Sequence, residues 1–93
     1  MRRKRIHNYL KRCRKEKGLT QGEVAFILGL ESSSMISRWE KGVSLPETLN
    51  ALKMAAIYDT TVDFLYEDAR LDMLDGLSKR AHALIKTRVE QYD

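Results

Sequence analysis

Apolar residues recur along this chain at helical spacing, in short runs separated by glycines and hydroxyl side chains. Ile6, Tyr9, Leu10 and Cys13 form one stripe, predicting a first helix that ends near Gly18. Thr20 and Glu23 make a T-x-x-E capping box, which satisfies orphan amides at a helix start. Val24, Ala25 and Leu28 then share a face, and Gly29 falls where a helix ends in a left-handed residue. Ala25 and Gly29 also leave small surfaces on which another helix can cross closely. Glu31-Ser32-Ser33-Ser34 offers several N-caps for a further helix. Ile36 and Trp39 anchor that helix inward, leaving Ser33, Ser34, Ser37 and Arg38 outward. Ser44 and Glu47 form an S-x-x-E cap with Pro46 in the first turn, followed by Ala51, Leu52, Ala55 and Tyr58 at helical spacing. Near the end, Gly76 breaks the pattern and Ser78 caps a last helix with the stripe Ala81, Leu84, Ile85, Val89 and Tyr92.

Two short helices joined by a Gly-centred turn, the second opening with small hydroxyl residues, suit a helix end presented to a groove of DNA. Over Ile6 to Tyr66 the chain resembles the phage repressor and Cro-like (XRE-type) helix-turn-helix family. The resemblance is carried by KEKGLTQGEVAFILGL, ISRWEKG and the later P-E-T-L stretch. It implies an all-α fold: a five-helix repressor-like DNA-binding domain over 1–66, whose third helix enters the major groove. Residues 67–93 are then an acidic connection and an additional C-terminal helix, for packing or dimerisation. One departure is visible: this chain has one residue more than most members between the turn glycine and Trp39, as in a subgroup with a longer turn.

The resemblance also suggests roles. Gln21 braces a DNA phosphate and the reading helix, and Lys41, Gly42 and Ser44 match the loop that holds the DNA backbone. Arg14 matches a first-helix arginine that pairs with the glutamate at the position of Glu40. Asp59 occupies the place of a helix-ending glycine, and Val62 and Leu65 match the short closing helix. From its own chemistry, Arg38 is the residue suited to a base, because a guanidinium can bind guanine O6 and N7 together. Ser32, Ser33, Ser34 and Ser37 are shorter and suit a base edge or a phosphate.

Charge strengthens the polyanion reading. The first 17 residues hold nine Lys/Arg against one acid, Glu16, whereas the rest hold eight against twelve, for a net +4. Arg2, Arg3, Lys4 and Arg5 therefore add non-specific attraction to DNA. Residues 59–75 carry six acids and one base, Arg70, as expected of a solvated or DNA-averted face. At 43% hydrophobic and 32% charged the chain is globular in composition. No run is long and apolar enough for a membrane span. A single cysteine, Cys13, excludes an internal disulfide, and its place on an apolar stripe marks a buried thiol in a reducing cytoplasm.

Catalysis finds no support. His7 and His82 are isolated, the serines have no nucleophile elbow, and the five glycines are scattered. No metal site and no cofactor are expected. The expected function is a sequence-specific DNA-binding transcriptional regulator, a repressor binding a palindromic operator of double-stranded DNA as a homodimer. Leu84, Ile85, Val89 and Tyr92 supply its dimerisation surface. The rival is a protein-interaction module of the same fold, an antitoxin or regulator antagonist with a protein partner. Phe26 and Ile27 are apolar where the family is usually polar, which suits either a protein contact, within a dimer or with a regulator, or, the favoured reading, a C-terminal helix that folds back over them.

Overall fold

The computed structural model describes residues 4–92, with side chains through residue 90. Six helices follow in order: α1 (Leu10–Glu16), α2 (Gln21–Leu28), α3 (Ser34–Glu40), α4 (Thr48–Ile57), α5 (Val62–Leu65) and α6 (Glu67–Tyr92). No strand is present among the described residues.

The core forms where the apolar stripes converge. Leu10 and Cys13 from α1 meet Val24, Ala25 and Leu28 from α2, Ile36 and Trp39 from α3, Met54, Ala55 and Tyr58 from α4 and its end, and Leu65 from α5. The first helix is shorter than its stripe suggests. Ile6 and Tyr9 precede it, because Asn8 Oδ1 accepts the Leu10 amide while Asn8 Nδ2 donates to the carbonyls of Ile6 and Trp39. The N-terminal segment thus becomes an extended strap, and its Ile6 amide donates to Gly42 O at 3.0 Å.

Helix α2 begins with the capping box. Thr20 Oγ1 accepts the Glu23 amide at 3.1 Å, and Glu23 Oε1 accepts the Thr20 amide at 2.8 Å. It ends at Gly29, whose φ of 76° lies in the left-handed region that a side chain disfavours. The start of α4 differs from the sequence expectation. Glu47, not Ser44, is the residue before the helix, and it makes no side-chain cap bond. Pro46 accordingly lies ahead of the first turn, and the Ser44 hydroxyl is buried without a partner among the described residues. Asp59 adopts φ 55°, a left-handed conformation, and Thr61 Oγ1 caps α5 through the Phe64 amide at 3.1 Å.

The largest departure lies at the C-terminus. The chain does not break at Gly76 or restart at Ser78; α6 runs unbroken through both from Glu67 to Tyr92. It packs on α5 at its base, where Asp68 lies 2.8 Å from His7 Nδ1 and accepts from Tyr9 Oη at 3.2 Å. Beyond that base, residues 70–90 are all exposed. The Cα radius of gyration is 17.5 Å, where a compact chain of this length reaches about 12 Å. The helix projects from the domain, so it does not cover Phe26 and Ile27, which are 85% and 52% exposed. The fold-back expectation is corrected. A fold-back would need a turn near Gly76, and a glycine inside a helix costs only about 1 kcal/mol, too little to force one.

Candidate nucleic-acid interface

Helices α2 and α3 pack together, and Ile36 and Trp39 lock α3 into the core at 1% and 3% exposure. The inward pair fixes the roll of the helix, which leaves Ser34, Met35 and Arg38 outward and Ser33 and Ser37 half-buried. Ser33 stands at the helix entrance but makes no capping bond. Ser32 supplies that bond instead: its Oγ lies 3.3 Å from the Ser34 amide and 2.7 Å from the Ser34 hydroxyl. Two of the serines are thus partly engaged with each other. Arg38 makes no salt bridge among the described residues, so its guanidinium is free toward solvent. Met35, to which the sequence pattern assigns no role, shares this outward surface at 39% exposure. Its apolar side chain suits contact with a thymine methyl.

Below this surface lies a buried polar brace. Arg14 Nε donates to Glu40 Oε2 at 2.6 Å and a second guanidinium nitrogen to Oε1 at 3.1 Å. Another arm of Arg14 reaches Leu19 O at 2.8 Å, and Gln21 Nε2 donates to Glu40 Oε1 at 3.0 Å. The carboxylate of Glu40 therefore joins the start of α2 and the end of α3 to α1. The hydrogen bonds that Arg14 donates to Glu40 hold its pKa above the ordinary value. Gln21 commits one N–H of its amide to this brace, leaving its second N–H, its side-chain oxygen and its backbone amide for other partners.

The loop after α3 is less available than the sequence suggests. The Lys41 amide donates to Ser37 O, the Gly42 amide to Trp39 O and the Val43 amide to Arg38 O. Gly42 is buried, with φ 75°, and a Cβ there would collide with the carbonyl oxygen and the nitrogen of Ile6. Its glycine is required by the strap that crosses it. Ser44 hides its hydroxyl, so of Lys41, Gly42 and Ser44 only the Lys41 side chain is presented openly.

Cations gather beside that lysine. An open groove of about 610 Å³ is lined by Arg5, Lys11, Arg12, Lys15 and Lys41, together with Glu40. In the sequence, Lys11, Arg12 and Lys15 of α1 add to the net charge but carry no sign of belonging to the site. Their one signal is the i, i+4 spacing of Lys11 and Lys15; only the fold shows that they adjoin the end of α3. Arg12 is held by Glu16 at 3.2 Å, an exposed pair. Lys4 and Arg5 are exposed, whereas Arg2 and Arg3 lie outside the described residues.

Two apolar surfaces lie away from α3. On α6, Leu84, Ile85 and Val89 are exposed, and the unbroken helix extends their stripe back through Leu77 and Leu74 to Leu71. The side chain of Tyr92 lies outside the described residues. Leu45, Leu49 and Leu52 form a second exposed strip before and within α4; Leu52 therefore does not share the buried face of Ala51, Ala55 and Tyr58 that the sequence spacing assigns it. A groove of about 430 Å³ runs along α2 between Leu19, Phe26 and Ile27. Cys13 is 5% exposed and burial raises its thiol pKa, so it is a packing residue. Among the described residues no group of His, Cys, Asp or Glu is arranged to hold a metal ion, and no helix is long and apolar enough to cross a membrane.

Compared with known proteins, residues 10–65 match a family model described as Helix-turn-helix. The matched span runs from the first residue of α1 to the last of α5, more than half of the chain. No curated protein matches the sequence.

Proposed function

We propose, on the premise that this chain belongs to the XRE/Cro-like helix-turn-helix family, that it is a repressor that binds a palindromic operator as a homodimer. Membership makes it a DNA-binding regulator; the operator, the direction of regulation and the dimer are the finer reading. The observation that carries it is the outward face of α3, where the exposed Arg38 makes no ion pair among the described residues, together with the cation-lined groove that Lys41 borders at the end of that helix. A free guanidinium on a rigidly rolled helix is suited to reading a base, and the cations beside it are suited to neighbouring phosphates. Gln21, Ser33, Ser34, Ser37 and Lys41 complete that surface. Such a DNA partner, with a single buried thiol, fits a cytoplasmic, nucleoid-bound protein.

One reading helix touches few base pairs, which gives too little selectivity among genomic competitors. Two copies one DNA turn apart, about 34–36 Å, double the contact. The exposed Leu84, Ile85 and Val89 supply a surface for that association. Selection of bound duplexes from a random pool should return a two-fold symmetric site. Replacing both Leu84 and Ile85 with Asp should keep the fold and abolish cooperative binding to it. A parent chain that binds a half-site as tightly as the full site would overturn the homodimer.

A second reading is favoured by Phe26, whose 85% exposure on α2 beside an apolar groove suits a protein regulator. Phe26→Ser should leave operator binding unchanged and remove such a regulator's effect.

A further inference from the structure

The exposed part of α6 carries a charge pattern that its apolar stripe alone does not explain. From Glu67 to Ser78 it holds four acids, Glu67, Asp68, Asp72 and Asp75, against Arg70. From Lys79 to Tyr92 the balance reverses, with Lys79, Arg80, Lys86 and Arg88 against Glu90. The helix is negative in its first half and positive in its second. The dipole of a single helix favours this order of charges only within its first and last turn, whereas Asp72, Asp75, Lys79 and Arg80 carry the segregation through the middle of α6. Its nearest carboxylate–ammonium contact, Asp75 to Lys79 at 3.2 Å, lies at the boundary between the halves and is more than three-quarters exposed.

We propose that two copies of this chain pair through α6 in antiparallel orientation, centred near Ala81, with Asp75 of each facing Lys86 of the other. The inference rests on the homodimer reading above and names its geometry. Asp75 and Lys86 are eleven residues apart, about three helical turns, so they lie on the same flank of the apolar stripe. In an antiparallel pair the same flanks of the two helices meet, and the symmetry supplies this contact twice. The acidic half of each helix then lies against the basic half of its neighbour. A parallel pair sets like charges side by side along the whole length, which is unfavourable. Along the seam, Leu77 meets Leu84 and Ile85 of the other copy, and the small Ala81 lets the axes approach at the crossing. The hydrophobic residues of α6 that are half exposed in one copy thereby acquire a partner of matching length. An isolated helix of this kind is marginal in water, so packing is what stabilises it.

The geometry also fits the DNA. With the crossing near Ala81, the domain-proximal ends of the two helices fall about 40 Å apart at about 1.5 Å per residue. That is close to the roughly 34–36 Å between successive turns of the major groove on one side of a duplex.

Disulfide trapping on the full chain tests the arrangement, because Asp75 and Lys86 are exposed and tolerate substitution. Cys13 is buried and stays in place, with the unaltered chain as the oxidation control. Asp75→Cys and Lys86→Cys chains, oxidised separately, should stay uncrosslinked; mixed, they should form the hetero-disulfide. Crosslinking of either variant with itself would establish a parallel pair and overturn the proposal. A chain that sediments as a dimer but yields no crosslink in any mixture would place the interface elsewhere, such as the Leu45–Leu52 strip, and also overturn it. A chain that sediments as a monomer both free and on operator DNA would remove the homodimer reading itself. As a second readout, Lys86→Asp should weaken the dimer on the order of tenfold across its two symmetric pairs. Combining it with Asp75→Lys should restore the affinity, and no restoration would count against the pairing.

Discussion

Arg14 on α1 and Glu40 at the end of α3 form a two-pronged ion pair, with nitrogen–oxygen distances of 2.6 and 3.1 Å and side chains 9% and 4% exposed. A pair this deep differs from a surface contact, because removing one member strands the other charge away from water. Glu40 also receives Gln21, so the pair fixes the angle between α3 and the body of the domain. Arg14→Ala or Glu40→Ala alone should cost about 3–5 kcal/mol in urea unfolding. The double variant should lose clearly less than the sum. Additive losses would mean that the two side chains act independently.

Arg38→Ala removes a guanidinium that makes no ion pair among the described residues, on the outward face of α3. It should cost on the order of 1–3 kcal/mol at the selected operator and relax the preference at one base pair. Titration by fluorescence anisotropy against operator and scrambled duplexes checks this. An equal fall on both would make Arg38 a phosphate contact.

The cations beside Lys41 should act on every sequence alike. Replacing Lys11 and Lys15 with Ser should weaken specific and scrambled DNA equally and lower the slope of log affinity against log salt by about 0.9 for each phosphate no longer neutralised. Replacing Arg2, Arg3, Lys4 and Arg5 with Ser tests the N-terminal arm in the same way. An unchanged slope in either case would show that those residues stand clear of the duplex.

Tyr58 and Tyr66 bury hydroxyls that find no partner among the described residues, and burial pushes each pKa up to about 12. A tyrosine raised from 10 is stabilised as the neutral phenol. Its contribution is therefore complete below pH 10 and is lost as the pH rises toward 12. Thermal stability should fall across that alkaline window. Tyr58→Phe should leave neutral-pH stability within about 1 kcal/mol, because the hydroxyl makes no hydrogen bond, and should blunt the alkaline fall. A large drop at neutral pH would reveal a partner for the hydroxyl.

Asp59 holds a left-handed backbone, φ 55°, at the end of α4. Asp59→Gly relieves that conformation and should raise stability by about 0.5–1 kcal/mol, read as an increase in Tm. A decrease would show that the carboxylate contributes more than the backbone strain costs.

Much of the fold was legible in the sequence because its signals are local. Thr20 and Glu23 determine the start of α2 through bonds within one turn, and Gly29 determines its end through backbone freedom alone. Ile36 and Trp39 set the inward face of α3, and so the outward place of Arg38, by helical periodicity. The pairing of Arg14 with Glu40 was suggested by resemblance, since no local pattern links residues 26 positions apart. Features that local patterns misjudge depend on bonds between distant segments. The strap of Ile6 over Gly42 exists only because the end of α3 offers a carbonyl to Asn8, and it shortens α1 and buries Gly42. The cationic groove joins residues of α1 to Lys41 only after the helices cross. At Gly76 the local rule and the structure part, because a mid-helix glycine is a small penalty that the neighbouring turns outweigh. Periodicity determined which side of α6 is apolar; only the tertiary structure decided that nothing among the described residues covers it, since the helix leaves the domain beyond Asp68.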